Sequence, residues 1–262
     1  MDFSFDLISD LHVETWDKFD WSGQPTSPYC VVAGDVSQDR KLLEETLKHL
    51  GRCYQGVFYI DGNDEHRNYL DNIGASYRAL SRYVDKFKNV VFMQDNVVVI
   101  NGVAFLAANG WWTYDMDPLI DSDQTQQWFQ QRYGVDSSVA QTIAGLAMND
   151  AAYLSHSVKK LQMHQDVKAI VMITHTVPSP LLIDHDIELV DHYRFNTTGN
   201  SNLQLALEQD SENKIKAWCF GHYHRPVDRD LNGIRYVNNC RGRGNTPWNQ
   251  SAYYPKRITI EF

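Results

Sequence analysis

Five short apolar runs in this chain each end, within a residue or two, in a side chain able to bind a divalent cation. Phe3–Ser9 leads into Asp10-Leu11-His12, Tyr29–Ala33 into Gly34-Asp35, and Val57–Asp61 into Gly62-Asn63. Lys168–Thr174 leads into His175, and Ala217–Phe220 into Gly221-His222-Tyr223-His224. Short runs of β-branched and aromatic residues bounded by Gly, Asp or Asn read as buried strands. Helical periodicity over Arg40–Leu50 and Asn68–Tyr83 places helices between the early strands. Such alternation is the pattern of an α/β fold with a mainly parallel sheet under helices. In open α/β sheets ligands bind beyond the carboxyl ends of the strands. Strands that end in Asp, Asn and His can therefore bring those side chains to one crevice.

The remaining segments complete the pattern. Val90–Met93, Val97–Ile100 and Val103–Ala107 read as short strands, with Gly102 in the turn between the last two. A polar, helical stretch over Asp121–His164, broken near Gly134, reads as a helical insertion. Val227–Leu231 and Ile234–Asn238 form a hairpin around Asn232-Gly233, a pair suited to the left-handed positions of a type I′ turn. Arg257–Phe262 reads as a closing strand. The 262 residues suffice for a single α/β domain with a buried core, spanning 1–262.

Composition narrows the setting. No run of 18 apolar residues is present, so no membrane-spanning helix is expected. Asp2 and Asp6 stand where a leader peptide would have its apolar stretch, which points to a cytoplasmic protein. The cysteines (Cys30, Cys53, Cys219, Cys240) form no C-x-x-C pair and read as reduced, mostly buried residues. Net charge is −9 and no Lys/Arg cluster stands out, which argues against a nucleic-acid partner.

Carboxylate, amide and imidazole donors together suit Mn, Fe, Zn, Ni or Mg, and the lack of a cysteine among them argues against a thiolate zinc site. Each residue alone has an ordinary explanation. Asp10 after a strand resembles a helix N-cap, His175 a hydrogen-bonded core histidine, and Asn63-Asp64 a turn. Their joint occurrence at strand ends is what carries the metal reading.

The ordered segments ISDLH, AGDV, GNDE, THTVP and GHYHRP resemble those of the calcineurin-like metallophosphoesterases: D-x-H, G-D, G-N-H-[ED], an isolated His, then G-H-x-H. ISDLHVE, NGVAFLAANGWW and NNCRGRG also resemble stretches of small bacterial and phage members. The resemblance covers most of the chain and is weakest over Asp121–His164. It implies a four-layer sandwich, with two mixed β-sheets flanked by α-helices, and two divalent metal ions. Asp10, His12, Asp35 and His224 would hold one ion. Asp35, Asn63, His175 and His222 would hold the other, with Asp35 bridging. Such a pair clamps a phosphoryl group and activates water for in-line attack.

One position departs from the pattern. Where the family has His after Gly-Asn, this chain has Asp64. That His contacts phosphate and is credited with assisting the leaving group. Three readings stand open: Asp64 orients another donor, with His66 the candidate; the substrate has a good leaving group and needs no acid; or activity is weakened. Arg241 and Arg243 in NNCRGRG are candidate phosphate ligands, since guanidinium forks match phosphate oxygens. His185, His192 and Arg194 are weaker candidates at the entrance, and Trp111, Trp112 and Tyr114 wall the cleft or fill the core. The expected activity is hydrolysis of a phosphodiester or phosphomonoester of a small molecule or nucleotide. A protein phosphatase, a nuclease and a non-catalytic binder of phosphorylated ligands are the alternatives.

Overall fold

The computed structural model describes residues 2–17, 24–183, 192–244, 246 and 252–262. The strands are β1 (Asp2–Ile8), β2 (Tyr29–Ala33), β3 (Gly56–Ile60), β4 (Val90–Phe92), β5 (Asn96–Ile100), β6 (Val103–Ala107), β7 (Ala169–Ile173), β8 (Ile215–Phe220), β9 (Val227–Leu231), β10 (Ile234–Asn238) and β11 (Lys256–Glu261). The helices are α1 (Arg40–Cys53), α2 (Ile73–Val84), α3 (Ser122–Tyr133), α4 (Ser137–Gln162) and the short α5 (His192–Asn196).

The strands form two mixed sheets, ordered β11-β1-β2-β3-β4 and β5-β6-β7-β8-β10-β9. Within the first, β1 to β4 run parallel and β11 closes the edge antiparallel to β1. Within the second, β6, β7, β8 and β10 run parallel between antiparallel edge strands β5 and β9.

Two-residue periodicity assigns each side chain to a layer. Phe5, Leu7, Val31, Ala33 and Phe58 from the first sheet meet Phe105, Ala107, Val171, Ile173 and Cys219 from the second. Alternate residues Ile8, Cys30, Val32 and Tyr59 face outward onto Leu43, Leu47 and Leu50 of α1 and Leu80 and Val84 of α2. On the other side Leu106, Met172 and Trp218 pack under Leu154, Val158 and Leu161 of α4. The four-layer sandwich implied by the sequence is thus the architecture found.

One boundary differs from the sequence reading. The helix expected over Asn68–Tyr83 begins at Ile73, capped by the Asn72 side chain, which accepts from the Ala75 N–H. The preceding Asp64–Asn72 is 3₁₀ helix, with Tyr69 out of helical geometry at φ −138°. The polar stretch after Asp121 is helical and broken at Gly134, as expected: its two helices are capped by Asp121 and Asp136, with Gly134 at φ 66° between them.

The inter-sheet core is centred on Phe105, whose ring meets Phe3, Phe5 and Phe58 at centroid distances of 5.7, 5.3 and 4.5 Å. Phe105→Ala is expected to cost about 3–5 kcal/mol, read as a lower urea midpoint with an unchanged slope. A loss below 1 kcal/mol would show that the sheets close over the void.

Candidate metal centre

The parallel strands deliver their carboxyl ends to one edge of the sandwich. Asp10 and His12 follow β1, Asp35 follows β2, Asn63 follows β3, His175 follows β7, and His222 and His224 follow β8. The chain must turn sharply at each of these points. Asp10, His12, Asp35, His222 and His224 all adopt positive φ, between 42° and 66°. Left-handed backbone in non-glycine residues is uncommon and concentrates at functional sites. Two glycines let the segments approach. A Cβ on Gly34 would lie 2.4 Å from His175 Nδ1, and one on Gly62 would lie 2.2 Å from Asp35 Oδ1.

Two ligand groups result. Donor atoms of Asp10, His12, Asp35 and His224 lie within 4.8 Å of one another, as do those of Asp35, His175 and His222. Asp35 belongs to both. Asn63 joins the second group through Oδ1, 3.1 Å from His175 Nε2. The seven residues singled out in the sequence as ligands are therefore brought together, in the two sets that the resemblance implies.

The imidazoles are oriented from behind. His175 Nδ1–H donates to the Ala33 carbonyl at 2.9 Å, which leaves Nε2 facing Asn63 and Asp35. His222 Nε2–H donates to the Thr197 carbonyl at 3.0 Å, and its ring stacks on Trp112 at 5.5 Å. A second hydrogen bond that fixes the tautomer is the usual support of a metal-binding histidine. Asn109 adds to this support. Its carbonyl accepts from the His175 N–H, its side chain donates to Asp61, and its N–H donates to Gln94. Gln94 donates in turn to Asp150 of α4.

The electrostatics of the bare site are those of crowded carboxylates. Asp10, Asp35, Asp64 and Glu65 are at most 2% exposed. Burial pushes Asp10 up, but the His224 hydrogen bond and nearby imidazoles outweigh it and hold the carboxyl well below its ordinary range. Burial opposes the charge on His175, yet pairing with Asp35 raises it to about 10. Burial, reinforced by His175, lowers His222 to about 4. Burial and then Asp35 raise Glu65 to about 8. Protons on imidazole thus balance part of the charge that cations would otherwise neutralise. Asp10 Oδ2 is buried and has no hydrogen-bond partner among the described residues. A buried carboxylate oxygen left open beside imidazoles fits a divalent cation.

Two carboxylates to which the sequence reading assigns no role complete the site. Glu65 accepts from the N–H groups of Asp35, Val36 and Gly62 at 3.2, 2.7 and 2.8 Å, tying the β2 and β3 loops together. Glu14 accepts from Ser37 Oγ and, with His12 and Asp64, forms a third donor group. Both stand inside quoted segments, ISDLHVE and GNDE, and adjacency to ligands is the signal that could have found them.

The two proton-donor candidates fall in different places. His66 is buried, its Nε2 is 2.7 Å from Asp61 Oδ2, and its ring packs on Tyr77 and Trp111. It belongs to the brace behind the site and not to the ligand cluster. Asp64 accepts from Arg243 Nη2, from Arg67 Nη1 and from Asn63 Nδ2. Burial pushes its carboxyl up, but His12 and then Arg243 drive it far below its ordinary value, so it carries charge and donates nothing. Arg243 reaches the cluster, whereas Arg241 is buried with its guanidinium 4.0 Å over the Trp16 ring. His192 is exposed and near Asp117, Arg194 lies in α5, and His185 lies outside the described residues. Trp111, Trp112 and Tyr114 are all buried, so core packing is their main role.

No family model matches the chain, and no curated protein matches it. Among solved structures, the phosphopantetheinyl hydrolase PptH from Mycobacterium tuberculosis superposes with a TM-score of 0.70 at 16% identity, over 98% of this chain and 96% of that one. A dimetal phosphatase from Danio rerio superposes with a TM-score of 0.54 at 14% identity, over 98% and 91%. At these identities the likeness defines the fold: the calcineurin-like four-layer sandwich. The Asp/His cluster has the donors to bind metal, and no helix among the described residues is long and apolar enough to cross a membrane.

Two outcomes are expected. Glu65→Ala leaves three buried N–H groups without their acceptor, at about 1–3 kcal/mol each. Chemical denaturation should show a loss well beyond that of Glu65→Gln, and equal losses would show that the N–H groups find other acceptors. Metal uptake should release protons, because His175 rises from 6.5 to about 10 in the bare site and must be neutral to ligate. Apparent affinity then rises with pH up to about 10 and levels off above it. Titration calorimetry of Mn²⁺ in buffers of different ionisation enthalpy measures the release. A proton count of zero below that pH would refute it.

Proposed function

We propose that this protein is a metal-dependent phosphoesterase that hydrolyses phosphodiester or phosphomonoester bonds of a small molecule or nucleotide. The observation that carries the reading is Asp35: one buried carboxylate shared by two groups of closely spaced donors. Asp10, His12, Asp35 and His224 would hold one divalent ion, and Asp35, Asn63, His175 and His222 the other. Bound there, the ions would supply Lewis acidity to the phosphoryl oxygens and lower the pKa of the attacking water.

The chain's own residues do the positioning. Glu65 fixes the backbone of Asp35, and the Asp35 carboxylate accepts the Asp64 N–H at 2.8 Å, which sets its direction. Ala33 and Thr197 fix the two imidazoles, so the donors are preorganised before substrate arrives. Fold relatives named as a phosphopantetheinyl hydrolase and a dimetal phosphatase support a hydrolytic role. The net charge of −9 favours a small solute over a nucleic-acid backbone as partner.

The test uses metal-stripped protein with Mn²⁺, Ni²⁺, Mg²⁺ or Zn²⁺ added, assayed on bis-p-nitrophenyl phosphate and p-nitrophenyl phosphate. Turnover should require metal and prefer the diester. Changing a supporting residue behind a metal ligand typically costs 10–100-fold, so Asp35→Asn, which alters a shared ligand, should lose more than about 100-fold. Two ions bound per chain with no turnover on either ester would sink general phosphoesterase activity on activated substrates and favour a non-catalytic binder of phosphorylated ligands.

A further inference from the structure

At position 64 the related pattern has an imidazole that can lend a proton, and this chain has a carboxylate. Both oxygens of that carboxylate are engaged by donors. Arg243 Nη2–H donates to Oδ2, while Arg67 Nη1–H and Asn63 Nδ2–H donate to Oδ1 at 3.2 and 3.1 Å. Asp64 is fully buried, and its Oδ2 lies 3.2 Å from His12 Nδ1. The guanidinium it holds is therefore at the edge of the ligand cluster. The Arg243 side chain is 24% exposed, so it meets the carboxylate while part of it still reaches solvent.

The backbone that carries Arg243 is built as firmly as the ligands are. Cys240 bridges to Ser9 in parallel register, the Arg241 N–H donates to the Ser9 carbonyl, and the Gly242 N–H donates to the Asp10 carbonyl. The Gly244 N–H donates to Thr15 Oγ1, whose hydroxyl donates to the His12 carbonyl. The segment is thus laced to the loop that contains Asp10 and His12 on both sides of Arg243.

Resting on the phosphoesterase reading, we propose that the Asp64–Arg243 pair takes the place of a proton donor, so that the site cleaves esters and anhydrides whose leaving group departs as an anion. Arg243 is the residue that touches the phosphoryl and leaving oxygens, and Asp64 is a positioning residue that aims it. Among the described residues, the imidazoles at and beside the cluster are committed elsewhere. His12, His175, His222 and His224 belong to the ligand groups, and His66 faces Asp61. A guanidinium offers fixed N–H donors but does not give up a proton in proteins. In the cleavage step, water oxygen forms the new P–O bond and its proton passes to solvent. The old P–O bond breaks with its electron pair on the leaving oxygen, which Arg243 stabilises by hydrogen bonds alone. Substrates of this kind are aryl phosphodiesters and phosphoanhydrides, whose leaving groups are phenolates or phosphates. Simple alkyl esters are not.

Aryl phosphodiesters whose leaving phenols run from nitro- to methoxy-substituted, together with an alkyl ester, would be assayed on the Mn²⁺-loaded protein, its Asp64→His variant, Arg243→Ala and Arg243→Lys. Inorganic phosphate binding to each loaded protein would be followed by calorimetry. General acid assistance is worth roughly 10²–10⁴-fold. The natural chain should therefore fall steeply along the series, and Asp64→His should gain on the poorest leaving groups and flatten the dependence. Arg243→Ala should lower turnover of every ester and weaken phosphate binding about tenfold or more, with Lys restoring little because it lacks the fork. A natural-chain rate independent of leaving-group acidity, or unchanged turnover and phosphate binding in Arg243→Ala, would overturn the proposal. Absence of turnover on even the most activated diester would sink the phosphoesterase reading and the leaving-group claim with it. Phosphate binding that still depended on Arg243 would then mark an anion-binding residue without catalysis.

Discussion

Four buried carboxylates at one edge of the sandwich, Asp10, Asp35, Asp64 and Glu65, set the terms for everything around them. Buried charge of one sign is tolerated only when it is paired or hydrogen-bonded, and each carboxylate meets that condition differently. Glu65 spends its oxygens on backbone N–H groups and becomes a structural tie. Asp64 takes two guanidiniums and an amide. Asp10 and Asp35 are left with imidazoles on their open sides, and for Asp10 with an oxygen that no described group reaches. Asp10 and Asp35, whose charge is balanced chiefly by imidazoles, are the pair with the donors to bind cations. Division of labour among like residues is decided by what each can reach from its loop.

That reach is a consequence of layer architecture. Parallel strands in both sheets point their carboxyl ends the same way, and the inter-sheet core of Phe5, Phe58, Phe105 and their neighbours fixes the two sheets against each other. The left-handed turns at Asp10, His12, Asp35, His222 and His224 then fold the side chains back over the strand ends. Such backbone costs of order 1–3 kcal/mol per residue where it is strained, and the dense hydrogen bonding behind the site holds it. Asn109 shows how far this extends. It fixes His175 on one side and reaches α4 through Gln94 and Asp150 on the other, so a helix remote from the ligands helps to aim one of them.

Much of this was legible in the sequence, for a definite reason. A buried strand must be apolar and short, and a ligand must follow it at once, so run and ligand appear side by side. Ile8 to His12 and Phe220 to His224 are of that kind. The four layers were legible through strand order together with the resemblance, whereas periodicity alone reaches no further than α/β. What escaped depended on distance in sequence. Arg243 and Asp64 meet across 179 positions, and no local spacing encodes that pairing. His66 escaped for the opposite reason: it stands two residues from Asp64 but is turned away by the 3₁₀ geometry of Asp64–Asn72 and by the aromatic slot of Tyr77 and Trp111. Proximity along the chain suggested a proton donor, and helical phase assigned the residue to the core.

The Asp at position 64 is the place where local reading and tertiary structure pull hardest in opposite directions. Taken by itself, an anion beside a phosphate site is a defect, because it repels the substrate. Taken with Arg243 and Arg67, it is one member of a group that carries two positive charges and one negative, and hence a net positive charge. Asp64 and Arg243 are consequently one unit: the arginine explains why a carboxylate is tolerable beside the ligands, and the carboxylate explains why an arginine on a loop is held in a defined direction. A chain that kept only one of the two would hold either an uncompensated anion or an unanchored cation at the mouth of its site.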